Sequence, residues 1–301
     1  MKMVFIVGIG RSGTSLLQSM LGAHPEITAL VETSFLRRYI ITGESSVVGL
    51  SNDKKIDRNP VLRRALQSDR LTVPDFIDAY RNSLKGHCTS HILDKDPRLV
   101  ESIPQLYKLF PDCRVIHIVR DPRDVLASKK KADWSSNRSL LNYLIVSRLQ
   151  LTSALDAEKI YQIHTLKYED LLENSERELR NICRYIGIEF SADSLDYVNT
   201  AKQLTSDEEL AWKKETFGPV LKNNAGKWQG SITTNEAISF EYTLPQLFKR
   251  AGYKGTLKNA TLRERIGPYV MSIVARLLST LFLVRMRIKK KSVSKQYPRE
   301  F

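Results

Sequence analysis

The chain has 301 residues, of which 42% are hydrophobic and 27% are charged. This composition excludes a disordered protein, because disorder requires few apolar residues, and it predicts a packed globular core. The formal net charge of +14 favours anionic partners such as nucleotides, nucleic acids or anionic membrane surfaces.

The cysteines indicate the redox compartment. Three are present, Cys88, Cys113 and Cys183, and none forms a CxxC pair. An odd number without paired spacing is typical of a reducing compartment rather than of a disulfide framework. No secretory signal precedes the first predicted strand. We therefore expect a cytoplasmic protein.

Three strand–loop–helix units are predicted along the chain. Residues 4–9 (VFIVGI) form an apolar run of strand length, followed by a Gly/Ser turn and a helix that ends near Gly22 and Pro25. Residues 114–119 (RVIHIV) and 161–166 (YQIHTL) begin two further units. Alternating strands and helices predict an α/β fold with a parallel sheet flanked by helices, whose ligands bind beyond the carboxyl ends of the strands.

Other segments of the chain are predicted from composition and spacing. Residues 43–75 are polar and basic and are interpreted as a helical insert over the site. Residues 137–156 and 175–186 have the apolar spacing of helices. Residues 205–235 contain glycine, proline and tryptophan without a regular period, which predicts irregular structure.

The turn after the first strand has the features of a phosphate-binding loop. Residues 8–15 read GIGRSGTS. Glycines let backbone N–H groups point at an anion, the following helix adds its dipole, and Thr14 and Ser15 offer hydroxyl donors. The spacing matches the ATPase phosphate loop and predicts a P-loop-type three-layer fold, but Thr14 occupies the lysine position and Arg11 supplies the cation.

A second anion site is predicted after the next strand. Residues 120–128 read RDPRDVLAS, with Arg120 at the strand end and Ser128 about two turns into the following helix. Asp121 and Asp124 are candidates to cap that helix. Taken alone, the segment is equally consistent with a capped turn. Together with the first loop, it predicts a nucleotide that carries phosphate at both ends.

These motifs resemble those of sulfotransferases that use 3'-phosphoadenosine 5'-phosphosulfate (PAPS). Residues 8–21 resemble the family's 5'-phosphosulfate loop, and residues 115–128 resemble its 3'-phosphate motif. The Ala-His-Pro segment at 23–25 and the Glu-Thr pair at 32–33 are closest to the branch of tyrosylprotein and bacterial sulfotransferases. Ser34 stands where the tyrosylprotein enzymes have an arginine. This difference favours an acceptor other than protein tyrosine.

The resemblance implies a sulfotransferase with PAPS as co-substrate and no metal. It implies that Glu32 is the catalytic base and that Lys95 and Arg11 bind the sulfo group. His87 and His91 are rival bases. The implied nucleotide-binding residues are Gly10, Arg11, Ser12, Gly13, Thr14, Ser15, Arg120, Ser128, Tyr168 and Lys227. The expected acceptor is a hydroxyl or amine, with carbohydrate, lipid-linked or small molecules favoured. The catalytic domain is expected to span residues 1–258.

Residues 259–301 are predicted to form a basic amphipathic tail. Residues 269–284 are almost all apolar but contain Arg276, and cations concentrate in residues 285–291. This apolar stretch is shorter than a typical transmembrane helix and contains a charged residue, which argues against a membrane span. Two interpretations remain open. Residues 269–291 lie on an anionic membrane surface, or the helix packs on the catalytic domain and its basic end is solvated.

Two other functions are consistent with parts of the sequence. A P-loop nucleotide or small-molecule kinase would share the fold, but Thr14 replaces the loop lysine and Arg120 stands where an acid is expected. A non-enzymatic nucleotide- or nucleic-acid-binding protein would use the positive charge without needing Glu32 or Lys95. The sequence contains no pattern of a nucleic-acid-binding module, so no nucleic-acid partner is expected.

Overall fold

The computed structural model describes residues 2–32, 36–37, 40, 89–131, 138–205 and 214–295. The helical insert predicted at residues 43–75 and the rival base His87 lie outside these residues. The described part of the chain contains a five-stranded sheet in the order β2-β3-β1-β4-β5. Its strands are β1 Lys2–Gly8, β2 Ile27–Ala29, β3 His91–Lys95, β4 Arg114–Val119 and β5 Ile163–Lys167.

Every neighbouring pair of strands in this sheet is parallel. β1 lies at the centre and is buried after its first residue, which explains its continuous apolar sequence. The predicted strands at 114–119 and 161–166 are confirmed as β4 and β5, although β5 begins two residues later than predicted. β2 was not predicted because three residues carry too little periodicity to detect.

Helices cover the sheet and extend beyond it. They are α1 Thr14–Gly22, α2 Ile103–Leu109, α3 Pro122–Lys130, α4 Leu140–Glu158, α5 Tyr168–Glu173, α6 Ser175–Ile186, α7 Val198–Leu204, α8 Thr234–Thr243, α9 Pro245–Ala251 and α10 Leu262–Lys295. The helix predicted at 175–186 has the observed bounds of α6, and the helix predicted at 137–156 overlaps α4, which begins at Leu140 and ends two residues later than predicted.

Local sequence signals set several of these helix ends. At the start of α3, the Asp121 carboxylate accepts a hydrogen bond from the Arg123 amide, and Pro122 takes the first helical position. α8 begins with a capping box between Thr233 and Glu236.

The two faces of the sheet bury different clusters, as the alternation of side chains along β1 requires. Phe5 packs in one cluster with residues of α2 and α4. Ile6 packs in the opposite cluster with residues of α1 and α6. Each of these fully buried side chains contributes about 1.5–3 kcal/mol of hydrophobic stabilisation. The predicted three-layer α/β fold is therefore confirmed.

A third apolar cluster joins the sheet layers to the C-terminal helices. It includes Leu126 of α3, Tyr143 of α4, Phe240 of α8, Phe248 of α9 and Ala275 of α10. α10 packs against α4 and α8. Within the described residues, one helical segment, Leu262–Met286, is long and apolar enough to cross a membrane by length and composition.

The sheet register positions the site. β1 lies between β3 and β4, and Ile6 pairs with Lys95 while Gly8 pairs with Ile118. The segments that follow β1, β3 and β4 therefore leave the same edge of the sheet side by side. This is the carboxyl edge, where parallel α/β sheets bind their ligands.

Candidate active site

The loop between β1 and α1 is a tight backbone turn. Arg11 and Gly13 have φ angles of 78° and 91°, in the left-handed region, and the Ser12 amide donates to the Ile9 carbonyl at 3.0 Å. A Cβ atom at Gly13 would overlap the ring of Tyr168. Glycine is therefore required at position 13 both by its conformation and by the close approach of this ring.

The N-terminus of α1 is open at this turn. Gly13 takes the N-cap position, provides no side-chain cap, and is followed by a first turn without acidic residues. The first N–H groups of a helix lack intrahelical partners, and the helix dipole adds partial positive charge at this end. The turn can therefore bind a phosphate-like anion.

A cleft that is open to solvent lies at the carboxyl edge of the sheet. Seven predicted nucleotide-binding residues line it: Arg11, Gly13, Thr14, Ser15, Arg120, Ser128 and Tyr168. The other residues that line it are Leu16, Leu172, Tyr197, Thr216, Val220, Leu221 and Asn224. Apart from Leu16, which lies within residues 8–21, sequence patterns did not indicate this second group, which comes from segments far from either phosphate motif.

Arg120 connects three segments beneath the cleft. Its guanidinium donates to the Arg11 carbonyl at 3.1 Å and to the Asn224 carbonyl at 2.7 Å. It also lies 4.4 Å from the ring centroid of Tyr168, whose hydroxyl accepts from the Asn224 side chain at 2.9 Å. Among the described residues, the buried Arg120 Nε and Ser12 Oγ have no hydrogen-bond partner. Arg120 at the cleft and Ser12 in the neighbouring loop therefore retain capacity for further hydrogen bonds.

Arg11 extends from the first loop toward α3. Its Nε donates to Ser128 Oγ at 3.0 Å. The next residue, Lys129, is buried, and its pKa is lowered to about 8 by desolvation and by the nearby charges of Arg138 and Arg11. The second turn of α3 thus carries a buried cation next to Ser128, which lines the cleft.

Glu32 and Lys95 lie on the opposite side of β1. The Lys95 side chain is 2% exposed and forms an ion pair with the Glu32 carboxylate, which is 24% exposed. Asp96 follows and accepts from Arg37 at 2.9 Å. Burial, with the charges of Asp96 and Glu32, raises the pKa of Asp94 to about 7. The structure therefore brings Glu32 and Lys95 together.

The three proposed catalytic residues fall into two groups. Lys95 ends β3, on one side of β1, whereas the side chain of Arg11 reaches Ser128 on the β4 side. The rival base His91 begins β3, about 13 Å along the strand from Lys95. His91 is therefore at the wrong end of the strand to act beside Lys95.

The loop at residues 222–230 is attached to α3. The Asp124 carboxylate accepts from the Gly226 amide at 2.7 Å and from the Trp228 amide at 2.8 Å. The Arg123 guanidinium lies 4.1 Å from the Trp228 ring centroid. Lys227 lies between the two bound amides, is exposed, and is outside the residues that line the cleft. The sequence indicated Asp124 as a helix cap, and its contact with this loop was missed.

In the part of the chain that the structure describes, no group of three His, Cys, Asp or Glu side chains is placed to hold a metal ion. Among the described residues, the cations that line the cleft are Arg11 and Arg120.

The fold and the cleft define an α/β protein of the phosphate-loop type. The model of the Sulfotransferase family matches residues 3–192, more than half of the chain. The chain therefore belongs to the Sulfotransferase family, and the predicted family resemblance is confirmed. The protein is a sulfotransferase enzyme.

Similar proteins agree with this placement. Protein-tyrosine sulfotransferase 1 of Danio rerio is 26% identical over 269 residues, which cover 84% of this chain and 72% of that protein. Protein-tyrosine sulfotransferase 2 of Gallus gallus is 25% identical over 276 residues, covering 84% and 70%.

Solved structures share the fold. The sulfotransferase domain from the Synechococcus PCC 7002 olefin synthase has a TM-score of 0.60 at 21% identity, covering 84% of this chain and 95% of that domain. The sulfotransferase domain from the curacin biosynthetic pathway has a TM-score of 0.58 at 16% identity, covering 84% and 98%.

Proposed function

We propose that this enzyme transfers the sulfo group of PAPS to a hydroxyl or amine acceptor. The observation that supports this most directly is the cleft in which the phosphate loop and the Arg120–Ser128 site face a shared space. A nucleotide with anionic groups on both its 5' and 3' positions would use both sites at once.

Each part of the nucleotide has a proposed partner in the cleft. The backbone amides and hydroxyls at residues 12–15 would hold the 5'-phosphosulfate. Arg120 and Ser128 would hold the 3'-phosphate, and Tyr168 would contact the adenosine. Lys227 belongs to the loop that Asp124 attaches to α3, and we propose that it contributes positive charge near the bound nucleotide.

Glu32 and Lys95 are the proposed centre of the chemistry. Glu32 would accept the acceptor's proton while the acceptor oxygen or nitrogen bonds to sulfur and the bond from sulfur to the bridging oxygen breaks. Lys95 would stabilise the negative charge that develops on the leaving oxygen. The two residues form an ion pair in the free protein, so the acceptor would have to take the place of Lys95 beside Glu32 when it binds.

Arg11 is the third proposed catalytic residue. Since it bonds to Ser128 in the free protein, its contact with the sulfo oxygens requires its side chain to turn across the phosphate loop. Such a turn would release Ser128 to the 3'-phosphate. We therefore propose that Arg11 changes partners when PAPS binds.

The domain bounds, the cellular compartment and the acceptor class are also proposed. Residues 1–258 would form the catalytic domain. Cys113 and Cys183 are buried free thiols, which supports residence in the reducing cytoplasm. A carbohydrate, lipid-linked molecule or small molecule is the proposed acceptor.

Incubation with PAPS labelled in its sulfo group tests this function. Candidate carbohydrate, lipid and small-molecule fractions are expected to gain label, and a tyrosine peptide is included because the relatives named above are protein-tyrosine sulfotransferases. ATP labelled in its terminal phosphate tests for a kinase. Transfer of label from ATP, without transfer from PAPS, would refute the proposal.

A further inference from the structure

α10 packs on the domain through its smallest residues. Its 34 residues extend about 50 Å. Pro268, Ser272, Ala275 and Ser279 recur at intervals of four, three and four, which places them on one face of the helix. Ser272, Ala275 and Ser279 are no more than 1% exposed. This face lies against α4 and α8.

Eight large apolar residues of α10 occupy the opposite face. They are between 39% and 66% exposed and extend about 33 Å along the helix. These residues are Ile266, Val270, Ile273, Val274, Leu277, Leu281, Val284 and Ile288; we call them the apolar stripe. A helix on a soluble domain normally turns such a stripe toward the core. In α10 the orientation is reversed, so the apolar stripe does not serve the core of this domain.

Polar contacts fix α10 lengthwise to the domain. The Arg276 guanidinium donates to the Tyr242 carbonyl. Arg148 of α4 donates to Ser279 at 2.9 Å and to Thr280 at 3.3 Å. A bilayer-spanning orientation of α10 would carry the polar surfaces of α4 and α8 into hydrocarbon, at a cost of several kcal/mol for each unsatisfied polar group. A membrane that contacts α10 must therefore meet it side-on.

The charge next to the apolar stripe selects the kind of partner. Residues 285–291 (RMRIKKK) carry five cations and no acid. Each Lys or Arg near an anionic bilayer contributes about 1 kcal/mol of attraction. A second copy of this chain would instead bring the same net charge of +14 toward the first. Charge complementarity thus favours an anionic lipid surface as the occupant of the apolar stripe.

We propose that α10 docks this enzyme side-on to an anionic membrane surface. The apolar stripe would lie at the boundary between headgroups and acyl chains, and residues 285–291 would contact anionic headgroups. This inference concerns a surface outside the cleft and does not depend on PAPS as the co-substrate. It places the enzyme on the surface where a lipid-linked acceptor would be found.

Co-sedimentation of the full-length protein with vesicles tests the proposal. Vesicles of phosphatidylcholine with about one-third phosphatidylglycerol are compared with pure phosphatidylcholine. The protein is expected to sediment with the anionic vesicles. The double substitution Leu277→Glu and Leu281→Glu is expected to lower the partition coefficient at least about tenfold, since it places two charges where the apolar stripe would meet the acyl chains.

A matched control places the same charges on exposed apolar residues elsewhere. Ile160 and Leu195 are 75% and 41% exposed, and their double substitution to Glu should leave sedimentation unchanged. Replacing Lys289, Lys290 and Lys291 with Gln should weaken binding to anionic vesicles and reduce its salt dependence. Thermal unfolding of each variant checks that the fold is retained.

Two results would overturn the proposal. One is full-length protein that stays in the supernatant with anionic vesicles, or that sediments equally well after the Leu277 and Leu281 substitutions. The other is a dimer, detected by light scattering, that dissociates in the same double variant while wild type binds no vesicles. That result would assign the apolar stripe to a second copy of the chain. Vesicle binding is measured without PAPS, so failure of sulfo transfer is separately recognisable.

Discussion

Charged side chains around the cleft are held by residues from distant parts of the chain. Lys95, at the end of β3, forms an ion pair with Glu32, which follows the neighbouring strand β2. Arg120 donates to the carbonyl of Asn224, 104 residues later in the chain. Arg11 likewise bonds to Ser128 on another helix. Arg120 thus has a defined position before any ligand arrives, which reduces the reorganisation that anion binding requires, whereas Arg11 has to leave Ser128 in the proposed exchange of partners.

Glu32→Gln tests the proposed catalytic base. The substitution keeps the size of the side chain but removes its ability to accept a proton, so the turnover number is expected to fall about 10²- to 10⁴-fold. Affinity for adenosine 3',5'-bisphosphate, measured by calorimetry, should stay within about twofold because Glu32 lies on the other side of β1 from Ser128. Glu26→Gln, at an exposed acid just before β2, is the control. Retained turnover in Glu32→Gln would remove this residue from the role.

Lys129 is expected to make nucleotide binding pH-dependent. Since burial and the charges of Arg138 and Arg11 lower its pKa to about 8, the side chain loses its charge as pH rises through 8. Affinity for adenosine 3',5'-bisphosphate should then fall about three- to tenfold between pH 7.5 and 9.5. Lys129→Met should flatten this profile in calorimetry. Lys130→Met, at the neighbouring lysine that pairs with Glu236, should leave the profile intact, and an equal change in both variants would contradict the expectation.

Asp94 is expected to make stability depend on pH. Its pKa in the folded protein is raised from 3.8 to about 7 by burial and by Asp96 and Glu32. The folded state therefore binds more protons than the unfolded state between these values, so this contribution is present below about pH 4 and is lost as pH rises through 7. The shift corresponds to about 4 kcal/mol.

Asp94→Asn should remove this dependence. Relative to wild type, its free energy of unfolding should gain up to about 4 kcal/mol between pH 4 and pH 8.5, as measured by urea titration. Asp156→Asn, near the exposed end of α4, should show no such change. Parallel pH profiles for wild type and Asp94→Asn would contradict the assignment.

At the level of elements, α3 connects both halves of the site. Its N-terminal turn provides Asp124, which binds the loop at residues 222–230, and its second turn provides Ser128 to the cleft. Because α3 is a helix, it fixes the distance between the loop at residues 222–230, called the late loop below, and the side chain of Ser128. The late loop has little regular structure of its own and depends on this attachment.

Asp124→Ala tests the attachment of the late loop. Two backbone amides lose their acceptor, so stability is expected to fall by about 1–3 kcal/mol. Affinity for adenosine 3',5'-bisphosphate should weaken about tenfold, and limited proteolysis should cut within residues 218–231 faster than in wild type. Ser231→Ala removes a local hydrogen bond to the Lys227 carbonyl and serves as the control. Unchanged proteolysis in Asp124→Ala would show that the loop is held by other contacts.

At the level of the whole molecule, the apolar stripe of α10 is exposed and is not part of the core between the three layers. The third apolar cluster connects α3 and α4 to α8, α9 and α10, so the C-terminal helices are packed continuously with the sheet layers. The close approach of α10 is possible because small residues form its buried face. The small residues on one face of α10 therefore have two effects. They let the helix pack closely on the domain, and they leave the apolar stripe on the opposite face exposed.

Ala275→Leu tests this close packing. Ala275 is fully buried, so a larger side chain should force α10 away from α4 and α8 and destabilise the protein by about 1–3 kcal/mol in urea unfolding. Val274→Leu, at the neighbouring 39% exposed position, should change stability by less than about 0.5 kcal/mol. Equal stabilities of the two variants would show that α10 is not seated through Ala275.

Local patterns in the sequence determined much of the fold. The apolar run of β1, the Gly/Ser turn that follows it and the caps of α3 each depend on neighbours within a few residues. The same locality made the phosphate loop and the RDPRDVLAS segment recognisable, and the convergence of parallel strand ends placed both motifs at one edge. The family and the three-layer α/β fold could therefore be predicted before any contact was known.

Tertiary structure alone decided which distant residues meet. Three contacts join segments about 100 residues apart. Arg11 donates to Ser128, Asp124 accepts from the Gly226 amide, and Asn224 lines the cleft together with both phosphate motifs. The orientation of α10 was also undecided, because its periodicity shows that two faces differ but not which face meets the domain. Sequence spacing constrains what is near along the chain, whereas packing decides what is near in space.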